Sequence, residues 1–248
     1  QLVNLLRGGD QKSIQLIIRS VRTKSELASN ISRYIEADSA SLISLLTNDA
    51  FCAQYGFNTT TIFTMFLPNT YEFYWNTTAE EFVVRMAREY KRFWNEDRVA
   101  KAKALNLSQS EVTTLASIVQ SEQAAKKDER PIVAGLYLNR LRKGMRLESD
   151  PTLIHAIGDF TIKRALNIHK EINSPYNTYR NAGLPPGPIL LPEIESIDAV
   201  LNASTHNYLF MCAKEDFSGY HNFSSSYREH VNNAKRYQRE LNRRKIYK

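Results

Sequence analysis

The spacing of apolar residues predicts a small mixed unit at the start of the chain. The β-branched run Ile14–Ile18 predicts a strand. Thr23 and Glu26 have the spacing of a capping box, so a helix is expected behind the strand. Two further short helices follow, one capped by Asp38 and one ending at Gly56. One strand followed by short helices is typical of a binding or spacer module.

The pattern changes after residue 56. The aromatic segment MFLPNTYEFYWNTT contains Pro68 and two asparagines, which favours an extended chain. Two capping-box pairs then open helices, Thr78 with Glu81 and Ser108 with Glu111. Helices dominate, strands are few and no βαβ alternation occurs, so the predicted fold class is α+β. The remaining predictions are a helix from about 128 to 144, loop over 149–192, a helix at 193–201, a strand at 208–213 and a basic helix from about 226.

Composition and charge exclude several classes of site. The chain carries 33 Lys plus Arg against 26 Asp plus Glu, a formal net charge of +7, which suits an acidic partner without selecting one. Its 2 cysteines form no CxxC pair, and Cys212 lies in an apolar run that favours a buried free thiol. No HExxH, GxGxxG, Walker-type or GxSxG motif occurs. We therefore expect neither a metal nor a cofactor.

Glu122 is the strongest candidate for a carboxyl group with a chemical role. It shares one helical face with Leu115, Ile118 and Val119, and that face is otherwise apolar. Partial burial there would raise the pKa of the carboxyl group, as a general acid near neutral pH requires. The alternative is a glutamate at a helix end that bends outward into solvent, and periodicity alone favours this alternative.

A second acid is harder to find, although most glycosidases use a pair of carboxylates. Glu148 and Asp150 are nearest in sequence. Asp150 precedes Pro151, which predicts a helix N-cap followed by proline in the first turn. The structural interpretation of Asp150 is therefore the stronger one, and the sequence offers one good acid without an obvious partner.

Several short blocks in a fixed order carry a family resemblance. Between Leu115 and Phe223 the chain reads LASIVQSE, YLNRL, GMRLESDPT, SPYNTY, GLPPGPI and HNF. In this order and spacing they resemble the endolytic murein transglycosylase (YceG-like) family, and LPNTYEFYWNTT resembles the entry to its catalytic domain. The resemblance implies a LysM-like βαα module at residues 1–56, cut short at its start, and a larger helix-rich catalytic domain with a few short strands at 57–248.

The resemblance implies that Glu122 is the catalytic glutamate. Many family members read IVEKE at this point, whereas this chain has Gln120 and Glu122. The first glutamate is therefore dispensable if the chain is active. Helical geometry agrees, because position 120 points roughly 160° away from position 122.

The implied reaction cleaves the β-1,4 bond between N-acetylmuramic acid and N-acetylglucosamine without water. Glu122 would protonate the leaving oxygen and then accept the proton of the muramoyl C6 hydroxyl as a 1,6-anhydro ring closes. Because the nucleophile is internal, one carboxyl group can perform both steps.

The resemblance also places eleven residues at a glycan groove. The tyrosines would stack on sugars, the amide and hydroxyl groups would bind N-acetyl groups, and the prolines would stiffen a wall. Structural alternatives stay open, namely a rigid turn after Pro175 and a histidine with a purely structural role instead of one that orients Glu122. The residues are Asp150, Thr152, Tyr176, Asn177, Thr178, Tyr179, Leu184, Pro185, Pro186, His221 and Phe223.

The implied partners are peptidoglycan glycan strands and peptidoglycan synthases, with no nucleic acid. A membrane anchor is expected upstream of Gln1, which would place the protein on the extracytoplasmic (periplasmic) face of the bacterial inner membrane. Three alternatives remain. They are a non-catalytic peptidoglycan-binding protein of the same fold, a pyridoxal-phosphate lyase for which no phosphate cup is found, and a nucleic-acid-binding protein supported only by charge.

Overall fold

The computed structural model describes residues 11–162 and 165–246 and divides the chain into two compact units. The first comprises Gln1–Val99 with Leu190–Glu193, and the second comprises Ala100–Ile189 with Ile194–Lys248. Helices and a few short strands make up both, which confirms the α+β class. No helix within the described ranges combines the length and apolar content needed to cross a bilayer.

In the first unit, β1 (Ile14–Ile18) pairs antiparallel with β2 (Asn69–Phe73). Both strands were expected as extended segments. Leu16 lies opposite Tyr71, and both are buried beneath the helices. The helices of this unit are α1 (Lys24–Ile31), α2 (Ser39–Leu46), α3 (Asp49–Ala53), α4 (Ala79–Phe93) and the start of α5 (Glu96–Ala104), with a 3₁₀ turn at Thr61–Met65.

The caps of these helices follow the sequence closely. Thr78 and Glu81 form a complete capping box at the start of α4. Asp38 caps α2 through the amide of Ser41. At α1 only half of the expected box forms, because Thr23 accepts from the Glu26 amide while the Glu26 carboxylate binds the Arg22 amide.

The first compact unit extends past the domain boundary expected at residue 56. β1 finds its partner strand in β2, and an isolated strand would leave its backbone groups unpaired. The division into a LysM-like subdomain at 1–56 and a catalytic domain at 57–248 stays a prediction, and residues 1–10 lie outside the described ones.

The second unit is built around α6 (Gln109–Glu122), which contacts α7 (Arg130–Arg142), α8 (Asp150–Ile157) and α9 (Ile194–Leu201). Nine consecutive residues of α6, from Val112 to Gln120, are buried. The expected single apolar face is therefore only part of its buried surface. Its polar side chains are satisfied inside the core, as where the Ser117 hydroxyl donates to Thr114 and accepts from the Ile189 amide.

A hairpin of β3 (Phe210–Ala213) and β4 (His221–Ser224) packs against the terminal helix α10 (Tyr227–Arg243). β3 and α10 were expected, whereas β4 was not, since HNFS is too short to show an alternating pattern. The strands pair Ala213 with His221, so the hairpin fixes the position of that histidine.

The region 149–192 is less irregular than its Pro, Asn and Gly content predicts. α8 occupies its start, and a 3₁₀ turn spans Asn167–Glu171. The prediction that Asp150 caps α8 is wrong. The residue at the cap position is Ser149, which makes no side-chain capping bond because its hydroxyl binds a residue of α6.

Gly135 is the point of closest approach between α7 and the segment 204–206. An added Cβ would clash with the Ser204 carbonyl and lie 2.7 Å from His206 Nε2. Hydrogen bonds on both sides hold this segment in place, from Ser204 to Pro131 and from Asn139 to His206.

We predict that Gly135→Ala destabilises the protein by about 1–3 kcal/mol through overpacking. Helix propensity alone would make the same change stabilising by roughly 1 kcal/mol. The sign of the change in unfolding free energy therefore distinguishes overpacking from helix propensity. Thermal or urea unfolding measures it, with the exposed Arg142→Ala on the same helix as control. An unchanged or raised midpoint for Gly135→Ala would contradict the packing described here.

Candidate active site

Glu122 is the last residue of α6, and its side chain meets two hydroxyl groups. Tyr137 of α7 donates to Oε1 at 2.8 Å, and Ser149 donates to the same oxygen at 2.5 Å. Among the described residues, Oε2 has no hydrogen-bond partner. The carboxyl group is thus held by one oxygen, and the other oxygen is left for a bound molecule.

This carboxyl group lines a cavity of about 360 Å³. The volume lies in the range of small-molecule and subsite pockets. The wall includes charged and polar side chains, and β3 contributes the apolar residues Phe210 and Met211. Its lining residues are Glu122, Leu136, Tyr137, Arg140, Glu148, Asp150, Tyr179, Phe210, Met211, Cys212, Ala213, His221, Tyr227 and His230.

Burial raises the pKa of Glu122 above its ordinary value. The hydrogen bonds from Ser149 and Tyr137 act in the opposite direction, because they favour the carboxylate form. The charge of Asp150 raises this pKa further and that of His221 lowers it. Loss of solvent is the largest effect, so the site favours a protonated carboxyl group that can act as an acid.

The two hydroxyl donors are well suited to this position. Burial raises the pKa of Tyr137 well above its ordinary value, so its phenol keeps its proton and donates to Glu122. Ser149 is completely buried, and its amide donates to Thr178 Oγ1 at 3.1 Å. Neither side chain is free to turn away without losing a partner.

The cavity wall carries two carboxylates besides Glu122, although the sequence offered no clear second acid. Asp150 accepts a hydrogen bond of 2.6 Å from the Tyr179 hydroxyl. Glu148 pairs with Arg140 at 2.6 Å. Each of these carboxylates contacts a protein partner through one oxygen, as Glu122 does, and what singles out Glu122 is that burial raises its pKa.

His221 also lines the cavity, and Glu129 holds it in place. Glu129 is buried, accepts from the His221 amide at 2.8 Å and contacts Nδ1 at 2.7 Å. Gln123 adds a hydrogen bond to the same carboxylate. The expected direct orientation of Glu122 by His221 is not present as a hydrogen bond. Nδ1 of the imidazole is instead occupied by Glu129.

Two of the four groove candidates in the SPYNTY block, Asn177 and Thr178, are buried. Asn177 is fully buried, donating to the Lys170 and Ile172 carbonyls and accepting from the Tyr179 amide. Thr178 is buried as well and bonds to the Thr152 hydroxyl at 2.7 Å. These contacts match a rigid turn.

Of the expected groove residues, those that reach the cavity are Asp150, Tyr179 and His221. Tyr176 packs on His155 with ring centroids 4.5 Å apart, and Phe223 stacks on Tyr208. The others contribute no lining to it. Thr152, Asn177, Thr178 and Pro185 are buried, Leu184 is partly exposed and Pro186 is exposed.

Sequence reasoning gave no role to Tyr137, Ser149 or Arg140. All three lie in the quoted blocks YLNRL and GMRLESDPT, so their positions were marked but their contacts were not. Tyr137 and Ser149 lie 15 and 27 residues from their shared partner Glu122, and the partners of Arg140 lie 7 and 8 residues away beyond the end of α7. Helical periodicity cannot reveal any of these contacts. Cys212 was expected to be buried, but it is partly exposed and lines the cavity.

Comparison with known proteins identifies the family. The sequence profile of the YceG-like family matches residues 1–236, nearly the whole chain. The chain belongs to the YceG-like family. A yceG-like protein from Listeria monocytogenes has a similar crystal structure, with a TM-score of 0.75, 26% identity and coverage of 93% of this chain and 79% of that one.

This YceG-like chain also resembles curated relatives. The endolytic murein transglycosylase of Bacillus subtilis is 35% identical over 168 residues, which are 68% of this chain and 45% of the relative. That of Streptococcus pneumoniae strain D39 is 31% identical over 150 residues, covering 59% of this chain and 27% of the relative. The chain thus spans less than half the length of the curated relatives it matches.

Gln120, at which this chain departs from the expected IVEKE block, has a structural environment here. It is buried, and its side-chain oxygen accepts a hydrogen bond of 2.9 Å from Ser196. Ser196 in turn accepts from Arg130 at 2.8 Å. These contacts lie among α6, α7 and α9, and Gln120 does not line the cavity that contains Glu122.

We predict that Glu122→Gln stabilises the YceG-like fold above neutral pH. Because the folded pKa of Glu122 is raised, the folded state binds more protons than the unfolded state between the two pKa values. Wild-type stability therefore falls as pH rises through this window. The neutral amide avoids the cost of a desolvated charge and keeps an acceptor for Tyr137 and Ser149.

Thermal unfolding from about pH 4 to pH 8 tests this sign. The melting temperature of Glu122→Gln should exceed that of the wild type at high pH, and the gap should close at low pH. Glu72→Gln, on the exposed face of β2, is the control. A Glu122→Gln variant that melts below the wild type at pH 8 would show that Glu122 is ionised without penalty.

Proposed function

We propose that this chain carries the glycan-cleaving part of an endolytic murein transglycosylase, with Glu122 as the single acid and base. The observation that carries the proposal is the geometry of that one carboxyl group. Its Oε1 is occupied by two donors, its pKa is raised by burial, and its Oε2 is left for a substrate in the cavity. The names of the relatives support the substrate class.

In the proposed reaction, the proton on Glu122 moves to the glycosidic oxygen as the bond to muramoyl C1 breaks. The muramoyl C6 hydroxyl then attacks C1, and its proton passes to the Glu122 carboxylate. One C–O bond breaks, one forms, and the carboxyl group returns to its starting state. Water takes no part, so no second carboxylate is needed to activate it.

The transition state places positive charge on the sugar ring while Glu122 becomes negative. Tyr137 and Ser149 stabilise that carboxylate, because hydrogen bonds to a charged acceptor are worth about 1.5–3 kcal/mol each. The same two donors are weaker partners for the neutral acid. They therefore favour the stage at which the proton has left.

The wider biological setting is proposed on the family relationship. We propose peptidoglycan strands as substrate, action outside the cytoplasm, an anchor upstream of Gln1, and peptidoglycan synthases as partners. The net charge of +7 favours an anionic wall. Residues 1–56 would serve as the LysM-like subdomain, supported by the order of β1 followed by helices.

Digestion of purified sacculi tests the function. The wild type should release 1,6-anhydro-muropeptides, identified by mass spectrometry because they weigh one water less than hydrolysis products. Glu122→Gln should lower the rate by at least roughly 100-fold, the scale of general acid catalysis. Glu195→Gln, an exposed glutamate of α9, is the matched control and should act as the wild type does.

Other products lead to other conclusions. Reducing ends in place of anhydro ends would mean that the enzyme is a hydrolase, with Asp150 or Glu148 positioning water. Binding of sacculi without any cleavage would favour the non-catalytic alternative. Either outcome contradicts the proposed reaction.

A further inference from the structure

The turn that carries Ser149 has an unusual backbone. Glu148 has a φ of +52°, in the left-handed region that residues with a side chain rarely adopt. Such a conformation persists only where the surroundings enforce it, and it is concentrated at functional sites. The next residue is Ser149, whose hydroxyl binds Glu122.

Arg140 holds this turn from the side of α7. Its Nη1 donates to the Leu147 carbonyl at 3.0 Å, and its Nη2 donates to Glu148 Oε2 at 2.6 Å. The Arg140 side chain is nine-tenths buried while that of Glu148 is about half exposed, so the bond to the Leu147 carbonyl is the one shielded from water. One planar group thus fixes both the backbone before the turn and the side chain within it.

Thr178 holds the turn from the opposite side. Its carbonyl accepts from the Glu148 amide at 3.1 Å, and its hydroxyl accepts from the Ser149 amide at 3.1 Å. Leu147, Glu148 and Ser149 are therefore each hydrogen-bonded to Arg140 or Thr178, which lie outside the turn. The direction of the Ser149 side chain follows from these restraints.

We propose that Arg140 and Glu148 are positioning residues that act through Ser149, fixing its hydroxyl on Oε1 of Glu122 so that Oε2 faces the cavity. The positioning of Ser149 by Arg140 and Glu148 does not depend on which reaction Glu122 performs. Its importance for catalysis rests on the proposed function.

A purely structural ion pair is the competing explanation. Arg140 Nε is buried without a hydrogen-bond partner, which is costly and is not expected of a pair kept for stability alone. The pair also lies on the wall of the cavity with Glu122. A structural pair would change the melting temperature but would leave the ionisation of Glu122 unchanged.

Carboxyl ¹³C titration by NMR separates the two explanations. In protein labelled on glutamate, the Glu122 signal is the one that disappears in Glu122→Gln. Arg140→Lys keeps the charge but cannot make both contacts, so Ser149 should lose its alignment and the pKa of Glu122 should rise. Arg142→Lys, two residues along the same helix and exposed, should titrate as the wild type does.

A double-mutant cycle tests whether the effect passes through Ser149. Ser149→Ala should raise the pKa of Glu122 by itself, and adding Arg140→Lys should change it no further. The other charged or titratable groups that line the cavity with Glu122 stay the same throughout, so they do not confound the comparison. These are Tyr137 of α7, Glu148 of the turn, Asp150 of α8, Tyr179 of the following loop, Cys212 of β3, His221 of β4, and Tyr227 and His230 of α10.

Substitutions at Glu148 separate its side chain from its backbone. Glu148→Gln keeps an oxygen for Arg140 and should retain the wild-type pKa of Glu122. Glu148→Ala should raise that pKa. Glu148→Gly relieves the left-handed backbone but removes the acceptor, so it should behave as the alanine variant does. If glycine restores the wild-type titration, the side chain of Glu148 has no positioning role.

Turnover adds a second readout. We expect Arg140→Lys to lower kcat about tenfold with KM nearly unchanged, because the lost alignment matters most as the proton leaves. If the wild type yields no anhydro product, the proposed function fails while the titration still decides the positioning. If Arg140→Lys matches the wild type in titration and turnover, the positioning inference is overturned.

Discussion

The removal of one carboxyl group from water is the constraint on which the candidate site depends. α6 runs through the core of the second unit with Val112–Gln120 buried, and it ends at Glu122. Its start is fixed by the capping box of Ser108 and Glu111, and at its end the amide of the C-cap residue Gln123 donates to the Val119 carbonyl. A carboxyl group at this point must be neutral, paired or facing a cavity. Glu122 has two donors on one oxygen and the cavity beside it.

The neighbours of Glu122 are explained by the same constraint. Tyr137 and Ser149 supply donors that offset part of the lost solvation, and both are themselves buried. Ser149 is directed by a strained turn between Arg140 and Thr178. Stability and the proposed function pull in opposite directions here, as often happens at active sites. A protein selected for stability alone would place an amide or an apolar side chain at position 122.

Sequence reasoning succeeded where the interactions are local. Capping pairs at i and i+3 predicted the starts of α4 and α6, and a β-branched run predicted β1. It failed where a contact with a residue far away in the sequence determines the local structure. Asp150 was assigned the cap of α8, but Ser149 occupies that position, and its hydroxyl binds Glu122, 27 residues away, instead of capping the helix. Because α6 also buries polar residues such as Ser117, the pattern of apolar residues predicted only one buried face of this helix.

The central claim is that Oε2 of Glu122 faces the scissile bond while Oε1 is held by the protein. A crystal structure of Glu122→Gln with a bound glycan fragment tests it most directly. The side-chain oxygen should accept from Tyr137 and Ser149, and the amide nitrogen should lie about 3 Å from the glycosidic oxygen. A fragment whose scissile bond lies outside the cavity, or beside Tyr137 and Ser149 with the amide turned away, would contradict the account.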